Sequence, residues 1–307
     1  MTRPRRQIAD QVVMLTRRCY DRYFFMRPDK RINAIVAYRF ARDAGSNGIE
    51  MHAAMVMSNH LHLIVTDKKG RRSDFMRDAM SCIARARNQD LGRKDHFWEG
   101  SQYGDTVLLD RDAEERKLLY VWLNPVLAGL VGRAEEWPGF KILPRDWGQT
   151  ILVPRPDTFF SDRLPEFIEF TPQPPPGYED KPLEEVIAYF EKLLKDAEDE
   201  LAEERRRQKR RLVGVKRVLA TSPKSRPRTR ESRGGISPRF ASKDPEVLRA
   251  AIVREREFRS VYGSQRERWI AGKKGVVFPC GTVGLRRHAP IRCDAPDLCE
   301  PGLAANM

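Results

Sequence analysis

The chain has 307 residues, and its 57 Lys and Arg against 43 Asp and Glu leave a net charge of +14 and a pI near 9.8. That length buries a sizeable core and has room for more than one unit, while the cationic excess favours a polyanionic partner, nucleic acid first. Five scattered cysteines exclude a paired disulfide framework and point to a reducing compartment, the cytoplasm by default; no run approaches the ~18 apolar residues of a membrane span.

In chain order, Gln11 to Arg18 reads as a strand, and Asp29 to Asp43 as a helix with Ile32, Ile35, Val36 and Phe40 on one stripe. Gly45 to Gly48 ends that helix. Glu50 to Met57 and His60 to Thr66 form a hairpin through Ser58-Asn59. Ser73 is positioned to cap a helix running to about Leu91, with Phe75, Met76, Met80, Ile83 and Ala84 as its buried side. Gln102 to Leu109 is a further strand, and Asp110 caps the helix after it. The order β-α-β-β-α-β predicts an α+β fold of the ferredoxin-like, split βαβ kind: an antiparallel sheet with helices on one face. The strand from His60 is central there. Leu61, Leu63 and Val65 pack under the helices and leave the opposite face for chemistry.

After Trp147 the texture changes. Prolines crowd residues 149–182, a linker or an extended wrap. Leu183 to Arg211 is a long charged helix, and Arg205 to Arg230 holds twelve Lys or Arg and no acid, so most of the excess charge is local. Pro245 to Tyr262 reads as helix and Gly272 to Arg287 as a Gly-rich tail of β character. The expected division is 1–148 as the main domain, 149–182 as linker, and 183–307 as a basic extension, largely helical or irregular.

Two spacings carry chemistry. His60 and His62 are i, i+2 on a strand, so both imidazoles point to one face, an arrangement suited to holding a metal. Tyr120 and Asn124 are i, i+4 on a helix, so phenol and carboxamide share a side. If that helix faces that strand, a metal, a third ligand and an oxygen nucleophile meet in one site.

Met57-Ser58-Asn59-His60-Leu61-His62-Leu63-Ile64-Val65, Phe97-Trp98-Glu99-Gly100, and the run from Tyr120 through Asn124-Pro125-Val126 to Val131 together resemble the HUH single-tyrosine transposases, in particular the REP-associated branch. The resemblance covers roughly residues 8–145. It implies a metal-dependent enzyme that cuts and rejoins single-stranded DNA beside a hairpin. Tyr120 would be the nucleophile, forming a 5′-phosphotyrosine; His60, His62 and Asn124 would hold Mg²⁺ or Mn²⁺. A phenol suits reversible cutting because the covalent intermediate keeps the phosphoester bond for resealing, and a metal polarises the phosphate.

Competing readings remain beside these. Tyr103, on the strand before the tyrosine helix, is a rival nucleophile. Asn124 precedes Pro125, which disfavours helical geometry there and makes capping of the next turn its competing role. His52 and His96 read as packing or surface histidines, and His288 with Cys280, Cys293 and Cys299 lacks the paired spacing of a zinc site. Arg17, Arg18, Arg205, Arg206, Arg207, Lys209, Arg210 and Arg211 are expected to meet DNA phosphates, against the reading of a solvated tether. A non-catalytic nucleic-acid-binding regulator on the same fold is the alternative function, and a hydrolase built on His-x-His a weaker third, since no Asp-His continuation follows His62. Monomer and homodimer both stay open.

Overall fold

Residues 4–100, 103–229 and 238–295 are described in the computed structural model of the chain. The first strand, β1 (Gln11–Arg18), leads to α1 (Lys30–Asn47), whose first turn is capped by Asp29 accepting from the Ile32 amide at 3.0 Å. Gly48, at φ 65°, stops the helix in the left-handed region that glycine adopts without strain. Strands β2 (Ile49–Val56) and β3 (His60–Asp67) then form the expected hairpin, followed by α2 (Arg72–Asp90), β4 (Gly104–Leu108) and α3 (Arg111–Leu127). Ser73 does not cap α2. The Asp67 carboxylate does, accepting from the Arg71 and Arg72 amides at 2.7 and 3.0 Å, because the strand end delivers a carboxylate to those amides before Ser73 is reached.

Beyond α3 come β5 (Lys141–Ile142), β6 (Ile151–Pro154), β7 (Phe167–Phe170), α4 (Leu183–Arg207), α5 (Val215–Ala220), β8 (Phe240–Ala241) and α6 (Pro245–Ile270), with β9 (Val277–Phe278) and β10 (Arg292–Cys293) paired in parallel. The main sheet has the order β5-β2-β3-β1-β4-β8. Every neighbouring pair in it is antiparallel except β4 with β8, so the sheet is mixed. β3 is central and pairs along its full length with β1, from Gln11 opposite Asp67 to Arg18 opposite His60.

Strand alternation divides the core into two layers. Val13, Leu15, Leu61, Leu63 and Val65 face α1 and α2 and pack with Phe40 and Phe75. The other face carries Val12, Met14, Met55 and Ile64, and it is not left bare as expected: α3 and α4 cover it with Trp122 and Phe190, joined by Trp147 from the connection between them. The reason is a second apolar set that the first 148 residues do not cover by themselves. Val186, Phe190 and Leu194 lie four residues apart on α4 and supply the missing stripe. Each indole there donates to a backbone carbonyl, Trp122 to Ile142 at 2.9 Å and Trp147 to His52 at 2.8 Å.

The proline-rich stretch is a wrap. β6 and β7 form a hairpin in contact with α1, and the Gln173 amide donates to Met51 on the outer part of the sheet. A buried ionic network then ties the C-terminal part to the sheet: Arg72 sits between Asp67 and Asp105, both at 3.2 Å, and Arg239 reaches Asp105 at 2.8 Å.

Candidate metal and nucleophile site

His60 and His62 open β3 on the face shared with Ile64, opposite Arg18 and Thr16 of β1. Their ring centroids are 4.9 Å apart. α3 crosses this face, started by Asp110 accepting from the Ala113 amide at 2.7 Å. Pro125 lies inside α3, which continues to Leu127. Asn124 therefore stays helical, contrary to the expectation from the following proline, and the helix stops at the turn of Ala128 and Gly129. One turn apart, Asn124 and Tyr120 reach the two histidines: Asn124 Oδ1 lies 3.0 Å from His60 Nε2, and the Tyr120 ring stands edge-on to His62 with centroids 5.3 Å apart. Tyr120 is 41% exposed while His62 is 8% exposed, so the phenol borders solvent above a dry imidazole.

A chain of hydrogen bonds sets the His60 tautomer. Asn59 Nδ2 donates to the Arg22 carbonyl at 3.2 Å, which turns Asn59 Oδ1 towards His60 Nδ1 at 2.7 Å. An amide oxygen only accepts, and the neutral ring has one proton for two such oxygens; with that proton on Nδ1, held by the anchored Asn59, Nε2 presents a lone pair. That lone pair faces a second acceptor, Asn124 Oδ1. Two acceptors converging at 3.0 Å suit a shared cation, since adjacent ligands with bonds of about 2.1 Å around an octahedral ion stand about that far apart. His62 Nδ1 is a buried nitrogen without a hydrogen-bond partner among the described residues. The donor set of two imidazoles and one amide oxygen thus fits a divalent ion, and Asn59 orients one ligand from behind. No cluster of three His, Cys, Asp or Glu suited to a metal occurs among the described residues.

Burial lowers both imidazoles, His62 to about 3 with help from His60 and Lys117; at His60 the Asn124 contact opposes burial and Arg18 adds to it, leaving the ring below its ordinary value. Both are neutral at pH 7, the form that ligates metal. The charged side chains acting on the pair, Arg18 and Lys117, are cations. Lys117 Nζ lies 5.5 Å from the Tyr120 ring centroid, and burial lowers its ammonium. The phenol of Tyr120 is thus exposed beside two neutral imidazoles and two cationic side chains.

The structure separates the other candidates. Arg18 shares the face of His60; Arg17 points to the opposite face, where it donates to the Gly100 carbonyl at 2.9 Å. Tyr103 also lies on that opposite side, beneath the Arg5 guanidinium at 4.0 Å. His52 is buried on β2, away from the pair, and His96 is exposed beside Tyr20. His288 is exposed, and Cys299 lies outside the described residues. Arg205 to Arg211 occupy the end of α4 and the turn after it. The chain then passes the end of α3, where the Val213 and Gly214 amides donate to Gly129 and Leu130, and continues to the turn after β1, where Arg22 donates to Thr229. The arm is thus docked between the two elements that bear Asn124 and Arg18; Arg230 lies outside the described residues.

Two residues of the site escaped the sequence reading. Lys117 is three positions before Tyr120 and so shares its helix face, a signal that was present. Asn59, in the sequence a turn residue and part of the histidine-strand motif, gains here a role in orienting His60.

No protein-family model matches the chain, and no curated protein matches it. Among solved structures, a REP-associated tyrosine transposase bound to a REP hairpin is similar at 19% identity with a TM-score of 0.40, over 48% of this chain and 85% of that one.

Proposed function

We propose that the chain is a transposase-type, metal-dependent enzyme of the cytoplasm that nicks and rejoins single-stranded DNA through a 5′-phosphotyrosine, on a ferredoxin-like split βαβ core. The observation that carries this reading is the convergence of an exposed phenol, two neutral imidazoles and an amide oxygen, with the cationic Arg18 and Lys117 acting on the pair.

In this reading Tyr120 Oη attacks the phosphorus, its proton passes to water, and the bond to the 3′-oxygen breaks. That oxygen leaves as a hydroxyl after taking a proton from water. The strand end stays bonded to Tyr120 until another 3′-hydroxyl attacks and releases the phenol, so the phosphoester is conserved. His60, His62 and Asn124 would hold Mg²⁺ or Mn²⁺, which when bound polarises the phosphate and offsets the charge that builds on it. Arg18 draws the phosphate in, and Lys117 places positive charge near the phenol. Asn59 holds the His60 ring in the ligating tautomer. The arm from Arg205 to Arg211 contacts the sugar-phosphate backbone, adding affinity without sequence choice.

The test is incubation of the full chain with hairpin-bearing single-stranded oligonucleotides and Mg²⁺ or Mn²⁺. A denaturant-resistant protein–DNA adduct, lost in Tyr120→Phe and kept in Tyr103→Phe, is expected. Binding with no adduct in any metal condition would overturn the enzymatic reading in favour of a non-catalytic DNA-binding regulator.

A further inference from the structure

Phe97-Trp98-Glu99-Gly100 belongs to the sequence resemblance, yet its side chains have no part in the reaction proposed above. The fold lays that run along the end of β1. The Glu99 amide donates to the Arg18 carbonyl at 2.8 Å and the Tyr20 amide to the Phe97 carbonyl at 2.9 Å, so residues 97–99 flank one side of residues 18–20. On the other side, the Cys19 amide donates to the Asn59 carbonyl at 2.8 Å.

The turn that follows is strained. Asp21 and Arg22 stand at φ 47° and 58°, and the Tyr23 amide closes on the Tyr20 carbonyl at 3.1 Å. Two successive left-handed residues make a mirror-image turn of the kind that favours Asn-Gly; Asp tolerates the first position, whereas Arg has no preference for the second. Such a conformation persists where its surroundings over-determine it. Residues distant in the chain do so here. Glu99 Oε2 accepts from the Asp21 amide at 2.8 Å and so grips the backbone of the turn itself. Arg226 pairs with the Asp21 carboxylate, the Arg22 guanidinium donates to the Thr229 carbonyl and hydroxyl at 2.6 and 3.0 Å, and the Phe24 amide donates to the Ser225 carbonyl at 2.9 Å.

The turn bears on the metal site through its second left-handed residue. The Arg22 carbonyl accepts from Asn59 Nδ2 at 3.2 Å, and Asn59 Oδ1 then faces His60 Nδ1 at 2.7 Å. If the peptide after Arg22 turned over, Asn59 would lose the acceptor that fixes its amide plane. His60 could then place its proton on Nε2, where Asn124 Oδ1 also accepts.

We infer that Glu99 is a positioning residue for His60: its carboxylate clamps the left-handed turn at Asp21-Arg22, the turn aims the Arg22 carbonyl at Asn59, and Asn59 holds the ring with Nε2 open to the cation. Arg226 and Thr229 reinforce the clamp, which gives residues 225–229 of the extension a part in assembling the site. The inference rests on the metal-site reading proposed above. Glu99 is exposed and its charge also acts on Arg17, but the clamp needs an accepting oxygen rather than a charge.

The experiment uses the full chain, isotope-labelled at the histidine rings, with Mn²⁺ as the probe. Long-range proton–nitrogen spectra of the metal-free protein read which His60 nitrogen carries the proton, His60→Gln identifying the signals, and calorimetry reads Mn²⁺ affinity. Glu99→Ala is expected to shift His60 towards the Nε2-protonated ring and to weaken Mn²⁺ binding about fivefold, the worth of one hydrogen bond. Glu99→Gln, which keeps an amide oxygen in place, should retain both. Because Glu99 acts through Asn59, Glu99→Ala should change neither readout further in an Asn59→Ala background, whereas a merely stabilising residue would act equally in both backgrounds. Glu99→Ala, at an exposed position, keeps the test valid if Asn59→Ala does not fold. A His60 proton that stays on Nδ1 in Glu99→Ala with Mn²⁺ affinity within about twofold of the wild type, equal damage by Glu99→Gln and Glu99→Ala, or effects additive with Asn59→Ala would overturn the inference. A wild-type chain that binds no Mn²⁺ would sink the metal reading and leave the tautomer to decide this one, and absence of a Tyr120 adduct touches neither readout.

Discussion

His52 makes the stability of this fold depend on pH in a calculable way. The ring is fully buried at an irregularity in the β2/β3 register, with Nδ1 2.9 Å from the Gln173 carbonyl and Nε2 2.7 Å from the Thr66 hydroxyl. A carbonyl only accepts, so Nδ1 carries the single proton of the neutral ring and the Thr66 hydroxyl donates to Nε2. Burial pushes the imidazole down from 6.5 to about 4. Between those values the unfolded chain binds a proton that the native ring refuses. The stabilisation is therefore complete above pH 6.5 and is lost as pH falls towards 4. At about 1.4 kcal/mol per pKa unit, the loss from this residue between about pH 7 and pH 5 is ~2 kcal/mol. His52→Gln removes that titration, and His60 and His62, which titrate in the same direction, contribute equally to both proteins. Urea unfolding at the two pH values should show the wild-type chain losing about 2 kcal/mol more than the variant. Equal losses in the two proteins would refute the reasoning, whatever the variant's absolute stability.

Arg72→Met leaves the buried Asp67 and Asp105 carboxylates without their shared cation and is expected to cost about 3–5 kcal/mol in thermal or urea unfolding. A loss below about 1 kcal/mol would mean that Arg239 compensates. Lys117→Met removes the ammonium beside Tyr120 and should slow adduct formation about tenfold while oligonucleotide affinity changes by no more than about twofold. A reversed pattern, with weak binding and normal chemistry, would assign Lys117 to docking. Replacing Arg205, Arg206, Arg207, Lys209, Arg210 and Arg211 by Gln should reduce the salt slope of single-strand binding by about 4 if each meets a phosphate, since each contact contributes roughly 0.7. An unchanged slope would make the arm structural.

Local patterns were legible where one period decides the outcome. β1 spans Gln11–Arg18 as expected, and the i, i+2 and i, i+4 spacings put His60 with His62 and Tyr120 with Asn124 on common faces. What escaped was set by residues distant in the chain. β8 pairs with β4 beside the ion pair of Arg239 with the buried Asp105, a contact that no window around Phe240 reveals. α4 reads as a charged helix by composition, yet its narrow stripe of Val186, Phe190 and Leu194 closes the second core layer. Asn124 stayed helical before Pro125 because tertiary packing of Val121, Trp122 and Val126 outweighed the local preference. The arm docks through backbone amides and carbonyls, which carry no signature in residue type.

The central claim is a covalent bond between Tyr120 and DNA. Digesting the adduct with nuclease and protease and sequencing the nucleotide-bearing peptide by mass spectrometry tests it most directly. The account predicts the phosphodiester remnant on Tyr120, within the α3 peptide. A remnant on Tyr103 or on any other side chain, or no modified peptide under metal conditions in which the oligonucleotide is cleaved, would contradict it.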